Sequence, residues 1–188
     1  MTPAATLPSS HSQAQPRRQR GAYAVEFALV FTIFFLVAYG ILTYGLIFAA
    51  QQSLNLAAED GARAALRWQA GDGAPSLTAR ANHAIDVARL RADWLQRIGA
   101  EGSVAVVVCA GQASGKVALA GGTAGQCGTQ VLQEGQVEVV VRYDYRNAPL
   151  VPELFGRLAV FTPASIDGRA TICMGTAWGF NNTCQEAA

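Results

Sequence analysis

The apolar positions of this chain are unevenly distributed. Residues 27–50, FALVFTIFFLVAYGILTYGLIFAA, form a run of 24 positions without one Asp, Glu, Lys, Arg or His. A helix of that length spans about 36 Å, against a hydrocarbon core of about 30 Å. Its most polar members are Thr32, Tyr39, Thr43 and Tyr44, and its Gly40 and Gly45 are tolerated in membrane helices. A buried helix of a soluble protein rarely runs so far without a charge. A cleaved secretory signal has an apolar region of about 7–15 residues followed by a small-x-small site. This run is longer, and the QQSLNLAAED that follows offers no such site. The pattern predicts one retained transmembrane span.

Past the span the pattern becomes amphipathic. Residues 51–69 lack helix breakers other than Gly61, and Leu54, Ala58, Ala62 and Ala65 recur at helical spacing. Glu59, Arg63 and Arg67 stand at i, i+4 and i+8, which predicts an acid–base ladder on one face. The reading is one long helix over 22–69, about 70 Å, the alternative being a break near Gln51 and a separate surface helix. Gly71-Asp72-Gly73-Ala74-Pro75 reads as a turn. A second helix follows from about Ser76 to Ile98. Its apolar stripe is Leu77, Ala81, Ala84, Ile85, Ala88, Leu95 and Ile98, with Trp94 beside it and Gly99 at its end. Residues 103–109, 137–145 and 169–174 are β-rich. Residues 110–136, rich in Gly, Ala, Ser and Gln, read as a long loop or loose hairpin. Pro149, Pro152 and Pro163 argue against a central strand over 147–163, and 153–160 reads as a short helical turn. The expected fold class is α+β: the long N-terminal helix, a second helix, and an antiparallel sheet of three or four strands packed on the long helix.

Composition changes this picture little and charge more. The chain has 188 residues, 51% hydrophobic and 14% charged, where an average domain is about 25% charged. Mean hydropathy is +0.21. That excludes a charged disordered chain, and a net charge of +1 is small for a nucleic-acid binder. The first sixteen residues are rich in Pro, Ser, Ala and Gln and read as a disordered leader. Arg17, Arg18 and Arg20 crowd the start of the span, so the positive-inside rule puts the N-terminus in the cytoplasm and residues beyond 51 outside it. Arginine outnumbers lysine thirteen to one, but no basic patch remains outside the leader.

Cys109, Cys127, Cys173 and Cys184 all lie beyond the span. Four cysteines allow three pairings. Proximity favours Cys109 with Cys127 and Cys173 with Cys184, each closing a Gly-rich loop and contributing about 2–4 kcal/mol. Free buried thiols are the alternative. Oxidation outside the cytoplasm agrees with the topology.

Catalytic chemistry is not evident. Residues 110–117, AGQASGKV, approach a phosphate loop, but Ala110 stands where its first glycine must be and Val117 where Ser or Thr would hold magnesium. His11 lies in the leader, and His83 with Asp86 reads as a surface pair on a helix. No Cys or His spacing suits a metal. Asn181-Asn182-Thr183 fits a glycosylation triplet of the kind that arises by chance. No catalytic, cofactor-binding or metal-binding residue is assigned, and no cofactor is expected.

One acid stands at the edge of the span. Glu26 either sits at headgroup level near a helix N-terminus, which favours acids, or pairs with a positive charge from a partner, because a carboxylate facing hydrocarbon costs a few kcal/mol. The stretch RRQRGAYAVEF, residues 17–27, resembles a prepilin peptidase site of the type IV pilin class: a basic leader ending in Gly, cleavage after it, and Glu as the fifth mature residue. More narrowly, RRQRGAYAVEFALV, the span, and an Ala-rich segment ending in Gly61-Ala62-Arg63 resemble the TadE-like family of pseudopilins of the Tad (Flp) system. The resemblance covers residues 17–66.

It implies that Gly21 and Ala22 flank a scissile bond and that Glu26 meets the new α-amine of a neighbouring subunit, with Phe27 after it in the assembly helix. It implies a leader over 1–21, a helix over 22–69 with its span at about 27–50, and an extracytoplasmic α+β domain over 70–188. The implied partners are prepilin peptidase, other pilin and pseudopilin subunits, the inner-membrane assembly platform and the lipid bilayer. Ala22 departs from the Phe of many pilins. Phe27 stands where major Flp pilins carry Tyr, and the chain is longer than theirs, so a minor subunit fits better. Removing the three leader arginines from a net charge of +1 leaves −2, which disfavours nucleic acid. The rivals are an uncleaved anchored scaffold or adhesin and, with no constellation to support it, an anchored enzyme.

Overall fold

The computed structural model describes residues 20–67, 76–152 and 162–174. It is α+β, and the chain divides into two units, one ending at Leu42 and one beginning at Thr43. The expectations for the leader before Arg20, Trp68, the 71–75 turn, the 153–160 turn, the 181–183 triplet and Cys184 lie outside the described residues.

Among the described residues the first unit holds one element, helix α1, which runs Arg20–Leu66 and continues into the second unit. Every side chain over 21–37 is exposed. The hydroxyl of Thr32 donates to the Ala28 carbonyl at 2.7 Å, so it is satisfied within the helix.

The second unit is built from the rest of α1, helix α2 (Leu77–Ile98) and strands β1 (Val104–Gln112), β2 (Gly115–Ala120), β3 (Gln136–Tyr143) and β4 (Ile166–Cys173). The sheet order is β2-β1-β3-β4 and every pairing is antiparallel. Strand β2 differs from the expectation: residues 110–120 complete a tight hairpin, with Gln112 opposite Gly115 and the positive φ falling on Gly115. The AGQASGKV run is this hairpin turn. Residues 121–135, which include a 3-10 turn at Ala124–Gln126, form the loop between β2 and β3.

The core is made of small residues on the helices and β-branched ones on the sheet. Leu54, Ala58, Ala62 and Ala65 of α1, Ala81, Ala84 and Ala88 of α2, and Val106, Val108, Val139 and Val141 of the sheet are all buried in one cluster. Short side chains let backbones approach. A Cβ at Gly61 would stand 3.0 Å from the Ala84 carbonyl and 3.1 Å from the Ala88 methyl, and one at Gly168 would stand 2.2 Å from the Leu54 backbone. Helix α2 is capped by the Ser76 hydroxyl, which accepts from the Ala79 amide at 3.2 Å. At its other end Gly99 leaves room for the Tyr143 hydroxyl, which donates to the Ala148 carbonyl at 2.6 Å.

Two expectations are corrected. Ile98 is 58% exposed and is not part of the α2 stripe; Ala92 is buried there instead. The acid–base ladder does not run straight along α1. Arg63 meets Glu59 at 3.5 Å and Asp60 at 3.7 Å, and Asp60 turns to Arg91 of α2 at 2.8 Å. Arg67 follows the last helical residue, Leu66. The α1 carbonyl of Ala65 accepts instead from the buried Arg80 guanidinium at 2.9 Å, a cation at a helix C-terminus, with burial lowering the Arg80 pKa. Trp94 Nε1 donates to the Ser53 hydroxyl at 2.7 Å and ties α2 to α1.

Candidate assembly segment

Residues 21–39 carry the chemistry that the sequence singles out. No breaker occurs between Ala22 and Tyr39, and the residues are strong helix formers in an apolar medium, so the helix is unbroken. Gly21 and Ala22 are helical, at the start of the described part of the helix. Nothing lies within 4 Å of where a Gly21 side chain would be. Glu26 is exposed and follows Ala22 by four residues, so the two share a helix face. It is the one ionisable acid or base between Gly21 and Ala50. Phe27 is 70% exposed.

A further feature escaped the sequence reading. Phe27, Phe31, Phe35 and Tyr39 stack ring on ring, with centroids 5.9, 6.4 and 6.5 Å apart and planes tilted by 22–23°. Their i, i+4 spacing was the available signal. This aromatic ladder follows the helix just after Glu26 and stiffens one face of it. Together the segment offers an acid, an aromatic stripe and a bare apolar surface. That suits packing against other apolar helices.

The structure places the other predicted residues as follows. Cys109 and Cys127 are bonded to each other. Cys173 is also disulfide-bonded. Gly61 is at the α1–α2 crossing, and Arg63 is exposed beside Glu59. No group of three or more His, Cys, Asp and Glu that could hold a metal occurs among the described residues. The helix from Gly21 to Leu66 is long and apolar enough to cross a membrane, with a mean hydropathy of 2.3 in its most apolar stretch.

No curated protein and no solved structure matches the chain. The family model of the TadE-like proteins does match it over residues 21–63, a stretch that contains Gly21, Ala22, Glu26, Phe27 and the Gly61-Ala62-Arg63 run.

Proposed function

We propose that this chain is a minor pilin or pseudopilin of a Tad (Flp) pilus. TadE-like proteins are pilus-associated components, and the match over 21–63 carries that association to this chain. Prepilin peptidase cuts between Gly21 and Ala22 on the cytoplasmic side. The helix then rests in the inner membrane with its α+β domain outside, until it joins or primes a fibre of similar helices. It acts in pilus assembly, tight adherence or secretion.

The observation that carries this reading is the exposed apolar helix with Glu26 as its single charge. Cleavage exposes an ammonium at Ala22. Either charge alone is costly in an apolar bundle, and pairing the two between neighbouring subunits offsets part of that cost. Apolar contacts supply cohesion, and the charge pair supplies register.

N-terminal sequencing and intact mass of the protein extracted from membranes test the reading. A start at Ala22 supports it, and a start at Met1 supports an uncleaved anchored scaffold or adhesin instead. Glu26→Ala is expected to insert and be cut normally but to abolish incorporation into pili, and Gly21→Arg to block cutting. Normal piliation in both variants would overturn the reading.

A further inference from the structure

The two faces of the sheet are covered in different ways. The inner face packs on α1 and α2. Among the described residues the outer face carries the loop of residues 121–135, whose Leu132 joins Val107 and Cys109 of the sheet in a small separate cluster, with Ala118 and Cys127 against it. The fastenings of this loop gather around one point. Cys127 is half-buried and bonded to the wholly buried Cys109. The next residue, Gly128, donates its amide to the Glu138 carboxylate at 3.1 Å. Lys116 Nζ donates to the Gly128 carbonyl and lies 3.8 Å from Glu138. Glu138 is wholly buried, and its second oxygen has no hydrogen-bond partner among the described residues. Away from that point most of the loop is exposed, Val131 to 91%, its other ties being the buried Leu132 side chain, the Thr129 hydroxyl, which accepts from Arg169 at 3.5 Å, and the Gly135 carbonyl, which accepts from the Met174 amide at 2.9 Å.

A buried carboxylate with one oxygen unsatisfied is a weak fastening, since both it and the lysine regain water when the loop lifts. The covalent bond is therefore the strongest of the loop's ties at this point, and the remaining ones are single hydrogen bonds and the Leu132 side chain. We propose that the Cys109–Cys127 disulfide is a redox latch. A dithiol reductant opens it and lets residues 121–135 leave the outer face, while the inner core stays folded. A thiolate of the reductant attacks Cys127 Sγ, the more accessible sulfur, and the S–S bond breaks. Cys109 leaves as a thiolate and takes a proton from water. The reductant's second thiolate then displaces Cys127 from the mixed disulfide, and Cys127 takes a proton in turn. Two electrons pass from the dithiol, which becomes a disulfide. Opening uncovers Val107, Leu132 and Glu138. The latch does not depend on the pilus reading.

Amide hydrogen exchange on the full chain in detergent micelles tests this, with dithiothreitol as the dithiol and thiol alkylation to verify reduction. The Cys109→Ala/Cys127→Ala double variant isolates this bond from the one at Cys173. In both reduced protein and double variant, amides of residues 121–135, Gly128 above all, are expected to exchange at least ~10-fold faster, with β3 and β4 unchanged within about twofold. Unchanged protection of the loop after verified reduction would overturn the latch. So would loss of protection across β3 and β4 along with the loop, whether in reduced protein or in a variant that does not fold, because the bond would then hold the whole domain.

Discussion

Helix α1 is one continuous element with two unlike halves. Over 21–37 its side chains are large, apolar and exposed all round. From Thr43 onward its buried positions are mostly small: Ala50, Ala57, Ala58, Ala62 and Ala65. The first half has apolar surface with no partner among the described residues, and the second commits one face of mostly small residues to the core while Phe48 and Leu56 stay exposed. A helix that is apolar on every side suits a lipid or helix-bundle environment, whereas an Ala-rich stripe suits close contact with a fixed neighbour. Hydropathy alone ranks the first half as the stronger core former. It is the second half that builds the core.

The sharpest way to break this contrast is with paired glycine substitutions. Gly168→Val drives a side chain into the Leu54 backbone, and is expected to cost more than about 4 kcal/mol and leave the domain unfolded by circular dichroism. Gly40→Val, with nothing within 4 Å, is expected to leave the melting temperature unchanged. Paired charges come next. Phe31→Arg should oppose membrane insertion by about 3 kcal/mol and shift protein into the carbonate-extractable fraction. Leu56→Arg, on the second half and 59% exposed there, should change domain stability by no more than about 0.5 kcal/mol. Equal effects within either pair would erase the distinction between the halves.

The smallest effect concerns pH and the sheet alone. Arg142 Nε and Nη2 donate to Asp167 at 2.9 and 3.3 Å across β3 and β4. Burial works against the Asp167 charge, but hydrogen bonds and charge from Arg142, and then Arg169, outweigh it and hold the carboxyl below its usual value. A carboxyl held low stabilises the fold above the ordinary aspartate range, about pH 4, and that stability is lost as pH falls through the lower folded value. Urea midpoints measured downward from pH 6 should decline there, by about 1 kcal/mol or less for this pair. Asp167→Asn should flatten that part of the curve while leaving behaviour at neutral pH nearly level.

Much of this was legible in the residues. The span, the single Glu26 at its edge and the i, i+4, i+7 pattern of Ala58, Ala62 and Ala65 are local signals, and the family resemblance rests on the same stretch. VEVVVRYDY is unambiguous as a strand because its β-branched residues are dense. GKVALA is not, since β2 is an edge strand whose small, half-exposed residues give no firm alternation. Gly111 reads as a turn residue but lies within β1, where the Gln133 carbonyl would stand 2.1 Å from a Cβ. Glu138, a charged residue inside the VEVVVRYDY run, is buried, because a loop that precedes β3 in sequence folds over it. Such facts belong to long-range pairing, which no window of sequence contains.

The Gly61-Ala62-Arg63 run shows what a short family signature can encode. At Gly61 helix α1 meets the Ala84 carbonyl and Ala88 methyl of α2 and a Val139 methyl of β3, and the hydrogen in place of a side chain sets how near they come. Any enlargement there must be absorbed at once by the Ala84 carbonyl, the Ala88 methyl and the Val139 side chain, which belong to two other elements. A compensating change at one of them relieves only part of the crowding. The signature therefore records an excluded volume rather than a chemical group.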